Sequence, residues 1–433
     1  MEAALNLGSR SLGLAAPNPA VGAILVKDGA VVGRGATAPG GRPHAERIAI
    51  GEAREAARGA TLYVTLEPCS HFGASPPCVD AIIAAGVGRV VSAMEDPNPL
   101  VGGQGHAQLR AAGIAVSVGA GAAQARRDHL GHILRVTAGR PCVTLKLAET
   151  ADGFASAGSN DSRLRITGPI ADLRVQIMRS THEAIMVGVG TALGDDPALT
   201  VRLNGLDRRP LRVVLDTHLR LPEGSRLAAT AGDAPTLVIA GAEAPDEAVR
   251  RLEDLGVMIE RAALDAEGHV DLQHALRALS DRGITRVFSE GGPMVAARLI
   301  ALKLADEVAL ITADKPLGRP GVPALDTEAR AALLDDSRYW PIEKLNYGSD
   351  TLRLLRRVDD PRAQFDFRAL HPWSVRFIWI FLAAACFSSN LRFWRLDLFG
   401  FPWILSSNPD FSIGYADKTT QSFSRRLGGF ERR

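Results

Sequence analysis

The chain has 433 residues, 50 of them lysine or arginine and 48 aspartate or glutamate, which is length enough for two cores and a near-neutral balance that argues against a nucleic-acid-binding surface. Four cysteines in so long a chain make no disulfide framework, and no charged segment leading into an apolar run opens the sequence. The expectation is a cytoplasmic protein whose cysteines are metal ligands, nucleophiles or buried hydrophobes. The average conceals one break: 16 of the 23 aromatic residues lie between Pro361 and Arg433, beside ten basic and five acidic residues, so the tail differs in composition from the body.

In chain order, Ala3, Ala4, Leu7 and Leu12 have helical spacing, and Pro17-Asn18-Pro19 stops that helix. Segments 21–26 and 31–35 flank Lys27-Asp28-Gly29-Ala30 and read as a hairpin with Asp-Gly at its turn. A helix is expected over 44–57, directly after Pro43, and a buried strand over 61–66. Pro76-Pro77 reads as the first turn of a helix running to Ala85, where a missing donor costs nothing. A strand at 89–93, a helix at 105–112, a strand at 114–118 and a helix at 122–137 continue the alternation to Arg140-Pro141.

From Cys142 the pattern restarts. Strands are expected at 143–148, 184–188, 211–215, 236–240, 257–260, 286–289, 307–312 and 351–356, with helices at 169–180, 245–255, 271–282 and 293–303. The fold class is therefore α/β, with a three-layer domain over 1–140, a second α/β domain over 141–358 and an aromatic-rich extension over 359–433. The apolar run 377–387 in that extension is shorter than the roughly 20 residues a membrane span needs, and the rest of the tail shows neither helix nor strand periodicity.

One stretch carries the chemistry. His44, Cys69 and Cys78 are three nitrogen or sulfur ligands, the number a catalytic zinc takes when its fourth position stays open for water. Glu46, two residues past His44, is placed to move protons without being a ligand. His71 is either a fourth ligand or a substrate contact, and a purely structural zinc site is the alternative to a catalytic one. Cys142 and Cys386 have no histidine or cysteine nearby and read as small buried hydrophobes. In the second half, Gly291-Gly292 stands between an expected strand and an expected helix, where glycine lets a phosphate approach unpaired backbone N–H groups. Gly188-x-Gly190 lacks the third glycine of a dinucleotide fingerprint and reads as a strand-to-helix turn.

Pro17-Asn18-Pro19-Ala20-Val21-Gly22, His44-Ala45-Glu46, and Glu67-Pro68-Cys69-Ser70-His71-Phe72-Gly73 with Pro76-Pro77-Cys78 resemble the deaminase half of the bifunctional riboflavin-biosynthesis deaminase/reductases. That family shares the long loop between the two cysteines. Lys146-Leu147-Ala148, Asp195-Asp196-Pro197 through Arg202, and Glu290-Gly291-Gly292-Pro293 are similar to its reductase half, so the resemblance runs to about residue 357. It implies a cytidine-deaminase-like domain followed by a dihydrofolate-reductase-like domain, with Zn²⁺ on His44, Cys69 and Cys78 and Glu46 as proton shuttle. Asn18, His71, Ser162, Arg179, Leu199, Arg202 and Glu290 are implied as substrate contacts. Ala148, Arg165, Thr191, Asp195, Thr217 and the run Gly292, Pro293, Met294, Val295, Ala296, Ala297 and Arg298 are implied as NADPH contacts.

The expected partners are phosphoribosylaminopyrimidines and no nucleic acid, with membrane or partner contact only as the lesser alternative for the tail, in a homo-oligomer, dimer or tetramer. Arg165 stands where the family carries tryptophan before Ile-Thr, which motivates an alternative: a deaminase whose reductase half has decayed. A zinc-stabilised scaffold without catalysis and a nucleic-acid base deaminase are the readings outside this chemistry.

Overall fold

The structure is a computed structural model that describes residues 1–73, 75–98, 101–158 and 164–358, together with the backbone of three short strands further on. The first sheet comprises β1 (Gly22–Lys27), β2 (Ala30–Ala36), β3 (Thr61–Val64), β4 (Arg89–Ser92) and β5 (Ala115–Val118), in the order β2-β1-β3-β4-β5. The β1–β2 and β1–β3 pairs are antiparallel, and β3, β4 and β5 run parallel. Its helices are α1 (Glu2–Gly8), α2 (Ala45–Ala53), α3 (Cys78–Ala84), α4 (Gln104–Ala111), α5 (Ala122–Asp128) and α6 (Leu130–Ala138). The Asp28-Gly29 turn has positive φ at both residues, 50° and 77°, the geometry that closes a two-residue hairpin with the right twist.

Glycine in β2 decides how close the site-bearing helix comes. A Cβ on Gly35 would lie 2.0 Å from the Ala45 carbonyl oxygen, so α2 rests on the strand's backbone and no other residue fits there. Beneath it, Leu25, Leu62, Val64, Ala45 and Ala49 are fully buried. Each large apolar side chain in this core contributes roughly 1.5–3 kcal/mol relative to exposure.

The second sheet has nine strands: β6 (Cys142–Glu149), β8 (Ala184–Gly188), β9 (Leu211–Leu215), β10 (Thr236–Gly241), β11 (Met258–Ala262), β12 (Arg286–Ser289), β13 (Glu307–Thr312), β15 (Tyr339–Tyr347) and β16 (Asp350–Arg357). Two short strands, β7 (Phe154–Ser156) and β14 (Val322–Pro323), pair separately. The order β11-β10-β9-β8-β12-β6-β13-β16-β15 is parallel through β13 and antiparallel at β16 and β15. Helices α7 (Pro169–Ser180), α8 (Val189–Asp195), α9 (Arg226–Ala229), α10 (Asp246–Glu253), α11 (Leu272–Asp281), α12 (Pro293–Ala301) and α13 (Thr327–Leu334) complete it. The buried residues fall into two apolar clusters, one containing Leu145, Val287 and Leu299, the other Ile185, Val214 and Phe288. Val287 and Phe288 are neighbours in β12 and belong to different clusters, as alternation across a strand covered on both faces requires.

The segment that leads from the first sheet into the second is anchored on the second by charged and close-packed contacts. Arg140 grips Asp306 with two hydrogen bonds of 2.7 and 2.8 Å, and Arg357 joins the same carboxylate at 2.9 Å. Arg135 on α6 donates to the Ser280 carbonyl at 3.3 Å, and Gly131 on α6 faces the Thr285 carbonyl.

Several elements depart from expectation for identifiable reasons. The helix expected over 44–57 begins at Ala45, with His44 in extended conformation as its N-cap, and tightens into a 3₁₀ turn over Arg54–Ala57. Pro76 and Pro77 precede α3 instead of forming its first turn, so Cys78 is the first helical residue. The single helix expected over 122–137 is two helices, broken at His129, whose buried ring lies 3.2 Å from the Thr65 hydroxyl. A tertiary contact overrides local helix preference there. Strand β15 is not signalled by the sequence because Pro341 sits inside it, tolerated at a sheet edge and beside a register shift.

In the C-terminal unit, Arg395–Leu398, Phe401–Ile404 and Gly414–Tyr415 form a three-stranded antiparallel sheet, where no strand periodicity was expected. Segments of two to four residues are too short to show a period of two. The apolar run 377–387 lies outside the described residues, and among the described residues no helix is long and apolar enough to cross a membrane.

Candidate zinc centre and reductase site

The first site forms where two helix N-termini meet the end of β3. His44 caps α2, Cys78 opens α3, and Cys69 lies on the loop that leaves β3. His44 Nδ1 lies 3.6 Å from Cys69 Sγ and 3.3 Å from Cys78 Sγ. A tetrahedral zinc with bonds of about 2.3 Å to sulfur and about 2.0 Å to nitrogen has an N···S edge of about 3.5 Å, so the donors fit that ion. Among the described residues, no fourth histidine, cysteine or carboxylate joins this group. His71 is exposed and outside the cluster, which removes it as a fourth ligand.

The electrostatics are those of a site that concentrates negative charge. The hydrogen bond with Cys78, then that with His44, lower the Cys69 thiol to about 4, while the same pairing and burial push Cys78 upward. The Cys78 backbone N–H donates to Cys69 Sγ at 3.3 Å. Glu46, in the first turn of α2, is 4% exposed. Burial first, and the charge on Cys69 second, raise its carboxyl above the ordinary glutamate value. A buried carboxyl raised in this way beside the sulfur cluster is suited to taking up and passing on a proton.

Asn18 reaches the same place from the Pro17–Pro19 loop. Its Nδ2 donates to the Gly41 carbonyl at 2.8 Å and lies 3.4 Å from His44 Nε2. Two groups were not singled out from the sequence. Glu67 accepts backbone N–H groups from Asp96, Gly103 and His106 at 2.9, 2.9 and 3.1 Å, tying the loop beyond β4 to the residue two before Cys69. Asp96, on that loop, faces His132 Nε2 at 3.4 Å. Burial opposes its ionisation, but His132, then the Asn98 backbone N–H, and least of all His71 outweigh it and hold its carboxyl below the ordinary aspartate value. The available signal was position alone: Asp96 lies just past the end of a parallel strand.

The second site gathers at the C-terminal ends of β6, β8 and β12. Arg179, near the end of α7, forms a two-pronged pair with Glu290, Nε to Oε1 at 2.5 Å and a second nitrogen to Oε2 at 3.0 Å. Its remaining terminal nitrogen donates to the Thr200 carbonyl at 2.9 Å. Burial disfavours the Glu290 carboxylate, yet Arg179, with Lys146 and Arg202 further out, keeps it below the ordinary glutamate value. Arg202 is exposed, its backbone N–H held by Gln176 at 2.8 Å. Leu199 is buried at φ +48°, a conformation that costs a bulky residue roughly 1–3 kcal/mol and marks this loop as held by its surroundings.

Gly292 is the N-cap of α12, without a side-chain cap, and Pro293 follows at the first helical position. A Cβ on Gly292 would meet the Thr191 hydroxyl at 3.2 Å, so the α8 and α12 N-termini converge on a cradle that a side chain would fill. Its uncapped N–H groups suit a cofactor phosphate. The rest of the 292–298 run divides. Met294 is exposed, Val295 and Ala296 belong to the core, Ala297 packs against it, and Arg298 is held by Asp265 and, at 2.9 Å, by the Val270 carbonyl. Arg298 is therefore engaged in the fold, and the buried pair can offer only backbone.

Ala148 lies in β6, Asp195 is exposed at the end of α8, and the Thr217 hydroxyl accepts the Val270 N–H at 3.3 Å. Arg165 is exposed and pairs with Asp172 at 2.9 Å. Ser162 lies outside the described residues.

Residues 1–94 match the cytidine and deoxycytidylate deaminase zinc-binding region, and residues 141–342 match the RibD C-terminal domain. The riboflavin biosynthesis protein RibD of Aquifex aeolicus is 40% identical over 318 residues, 73% of this chain and 87% of that protein. The chain belongs to the RibD family. The Escherichia coli RibD is 39% identical over 330 residues, 73% of this chain and 88% of that one. Among solved structures, Acinetobacter baumannii RibD aligns with a TM-score of 0.73 at 32% identity, covering 83% of this chain and 98% of that chain. The Thermotoga maritima diaminohydroxyphosphoribosylaminopyrimidine deaminase/5-amino-6-(5-phosphoribosylamino)uracil reductase gives 0.70 at 34% identity, covering 83% and 97%. The chain is thus a bifunctional enzyme of riboflavin biosynthesis, in which a zinc-dependent, cytidine-deaminase-like domain precedes an NADPH-dependent, dihydrofolate-reductase-like one.

Proposed function

We propose that residues 1–140 hydrolytically deaminate 2,5-diamino-6-(5-phosphoribosylamino)pyrimidin-4(3H)-one and that residues 141–358 reduce the resulting 5-amino-6-(5-phosphoribosylamino)uracil to the ribitylamino compound. The observation that carries this reading is His44 Nδ1 at tetrahedral-edge distance from both Cys69 and Cys78 sulfurs, with buried Glu46 beside the trio. His44 Nδ1 and the two sulfurs are the atoms that would hold Zn²⁺, which when bound makes water a nucleophile at neutral pH. Glu46 takes the proton that this water loses and returns it to the departing amino nitrogen, so that one oxygen enters and one ammonia leaves. Asn18 holds the His44 side of the pocket, and His71 and Asp96 border it as substrate contacts.

In the second half, Gly292 to Met294 with Thr191 would receive NADPH, with Ala148, Asp195, Thr217 and Arg165 as outer contacts. NADPH, when bound there, would supply the hydride that reduces C1′ of the ribosyl group. Arg202 binds the 5-phosphate. Arg179 acts differently from a free phosphate ligand: its pair with Glu290 fixes the carboxylate and the Leu199–Arg202 loop. The alternative of a decayed reductase rests on Arg165, and the assembled Arg179–Glu290 pair and Gly292 cradle favour a working one.

The reading includes a cytoplasmic homo-oligomer. Strand β15 is a nine-residue sheet edge exposing Trp340 and Leu345, a surface that pairing would cover. Mass spectrometry of products from the diaminopyrimidine, with and without NADPH and a chelator, tests both chemistries. A chelator-insensitive product, or no mass gain from exchange of the amino group for oxygen, overturns the first, and no NADPH-dependent product overturns the second.

A further inference from the structure

A cleft between the two halves is lined by charge that neither reaction uses. Its volume is about 410 Å³, and three arginines face it: Arg208, Arg209 and Arg282. Arg209 is engaged by Asp207 and the Asp233 carbonyl, each at 3.3 Å, and Arg282 by Glu260 and the Ala278 carbonyl at 2.5 and 3.1 Å. Arg208 has no such partner: its Nε and one terminal nitrogen are buried without a hydrogen bond, and no carboxylate lies within ion-pair distance among the described residues. Burial alone lowers its pKa. An uncompensated guanidinium in a half-enclosed site is costly unless something brings negative charge to it.

The other titratable groups facing the cleft are engaged elsewhere in the fold. Glu183 directs one oxygen to the Thr285 N–H, the Thr285 hydroxyl and the Arg286 N–H at 2.9, 2.9 and 2.7 Å, and burial pushes its carboxyl up. His182 is hydrogen-bonded to the Met178 carbonyl and the Thr144 hydroxyl, and burial lowers it to about 3, so it is neutral.

The cleft is separate from both sites described above. Glu183 and Ile284 precede β8 and β12, at the opposite ends of those strands from Gly188 and Glu290, and a five-residue strand separates the two ends by roughly 16 Å. On its other wall lie Pro17 and Gly40, the residues immediately before Asn18 and Gly41. We propose that this cleft binds a small phosphate-bearing organic anion, with Arg208 as its anchor and Arg209 and Arg282 as flanking charge, and that the ligand bridges the two halves behind the deaminase loop. The volume exceeds that of a bare phosphate and Pro17 supplies apolar wall, which selects a monoester with a compact organic body. The inference is independent of the substrates proposed above.

The test uses the full chain in phosphate-free buffer, titrated with inorganic phosphate, ribose 5-phosphate and phenyl phosphate by calorimetry and thermal unfolding. The expected result is saturable binding, tighter for the two esters than for inorganic phosphate and with a raised Tm. Arg208→Gln weakens it at least tenfold without lowering the ligand-free Tm, because it removes a guanidinium that has no partner. Arg202→Gln, which alters the reductase site, leaves this binding in place. Arg208→Lys keeps the charge but loses the fork and binds to an intermediate degree, so it serves if Arg208→Gln fails to fold. Absence of binding, binding unchanged in both Arg208 variants, or binding lost in Arg202→Gln overturns the proposal. Tighter binding of inorganic phosphate than of either ester overturns the organic-body part of it.

Discussion

The zinc centre and the reductase site solve the problem of placing charge in opposite ways. At the zinc centre the reactive atoms are one another's partners: His44 Nδ1 lies 3.3 and 3.6 Å from the two cysteine sulfurs, all three on short side chains held by two helix starts and one strand end. At the reductase site, Arg179 and Glu290 come from a helix end and a strand end 111 positions apart in sequence, and each is made tolerable in the interior by the other. A donor cluster built from caps is set by local backbone, so its members can be recognised from spacing. A cluster built from long charged side chains depends on the whole sheet, and the same arginine that suggests a phosphate ligand can turn out to be a brace.

The contrast breaks most sharply through Glu46. Glu46→Gln keeps the three metal donors and removes the proton shuttle, so deamination should fall by roughly 10²–10⁴-fold with zinc content and reductase activity unchanged. Loss of zinc together with activity, measured by metal analysis, would assign Glu46 to structure instead. Chelation should abolish deamination while leaving NADPH consumption with the uracil intermediate intact, because no reductase residue belongs to the donor cluster.

Arg179→Met should damage stability and reduction together. It strands Glu290 as an unpaired buried carboxylate, at a cost of roughly 3–5 kcal/mol, and frees the Leu199–Arg202 loop. Since the folded-state value of Glu290 is held below the unfolded one, the pair's contribution is present above the ordinary glutamate pKa and is lost as pH falls through the folded value. Denaturant melts of parent and variant should therefore converge at acid pH.

His129 and His182 work the other way on pH. Burial holds them at about 4 and about 3, so the unfolded chain takes up protons below about 6.5 that the folded chain refuses, and stability should decline from there towards pH 4. His129→Gln should flatten part of that slope. The smallest effect is expected at Arg165. Its pair with Asp172 is exposed, so Arg165→Ala should change stability by no more than about 0.5 kcal/mol. A large rise in KM for NADPH would show instead that Arg165 contacts the cofactor.

Local signals were legible where backbone chemistry is strong. Asp28-Gly29 marked a hairpin, Pro169 and Pro293 marked helix starts, and the His-Ala-Glu and two-cysteine pattern marked three side chains that the fold brings together. Missed features have their cause elsewhere in the chain. His129 ends a helix to meet Thr65, Pro341 hides an edge strand, and Asp96 gains a role only through His132 and the loop tied to Glu67. The implied NADPH run 292–298 shows the same limit, since helical position decides that Val295 and Ala296 enter the core while Met294 remains exposed.

By itself the sequence singled out His44, Cys69 and Cys78 as the proposed zinc donors, Glu46 as the proposed proton carrier and the restart of the α/β pattern at Cys142, because caps, turns and strand–helix alternation are written in neighbouring residues. Only the tertiary structure decided that His71 stands apart from the metal donors, that Arg179 braces Glu290, and that Arg208 faces a cleft without a partner. Those outcomes depend on what distant segments bring to, or withhold from, a side chain's charge, and no local pattern carries that information.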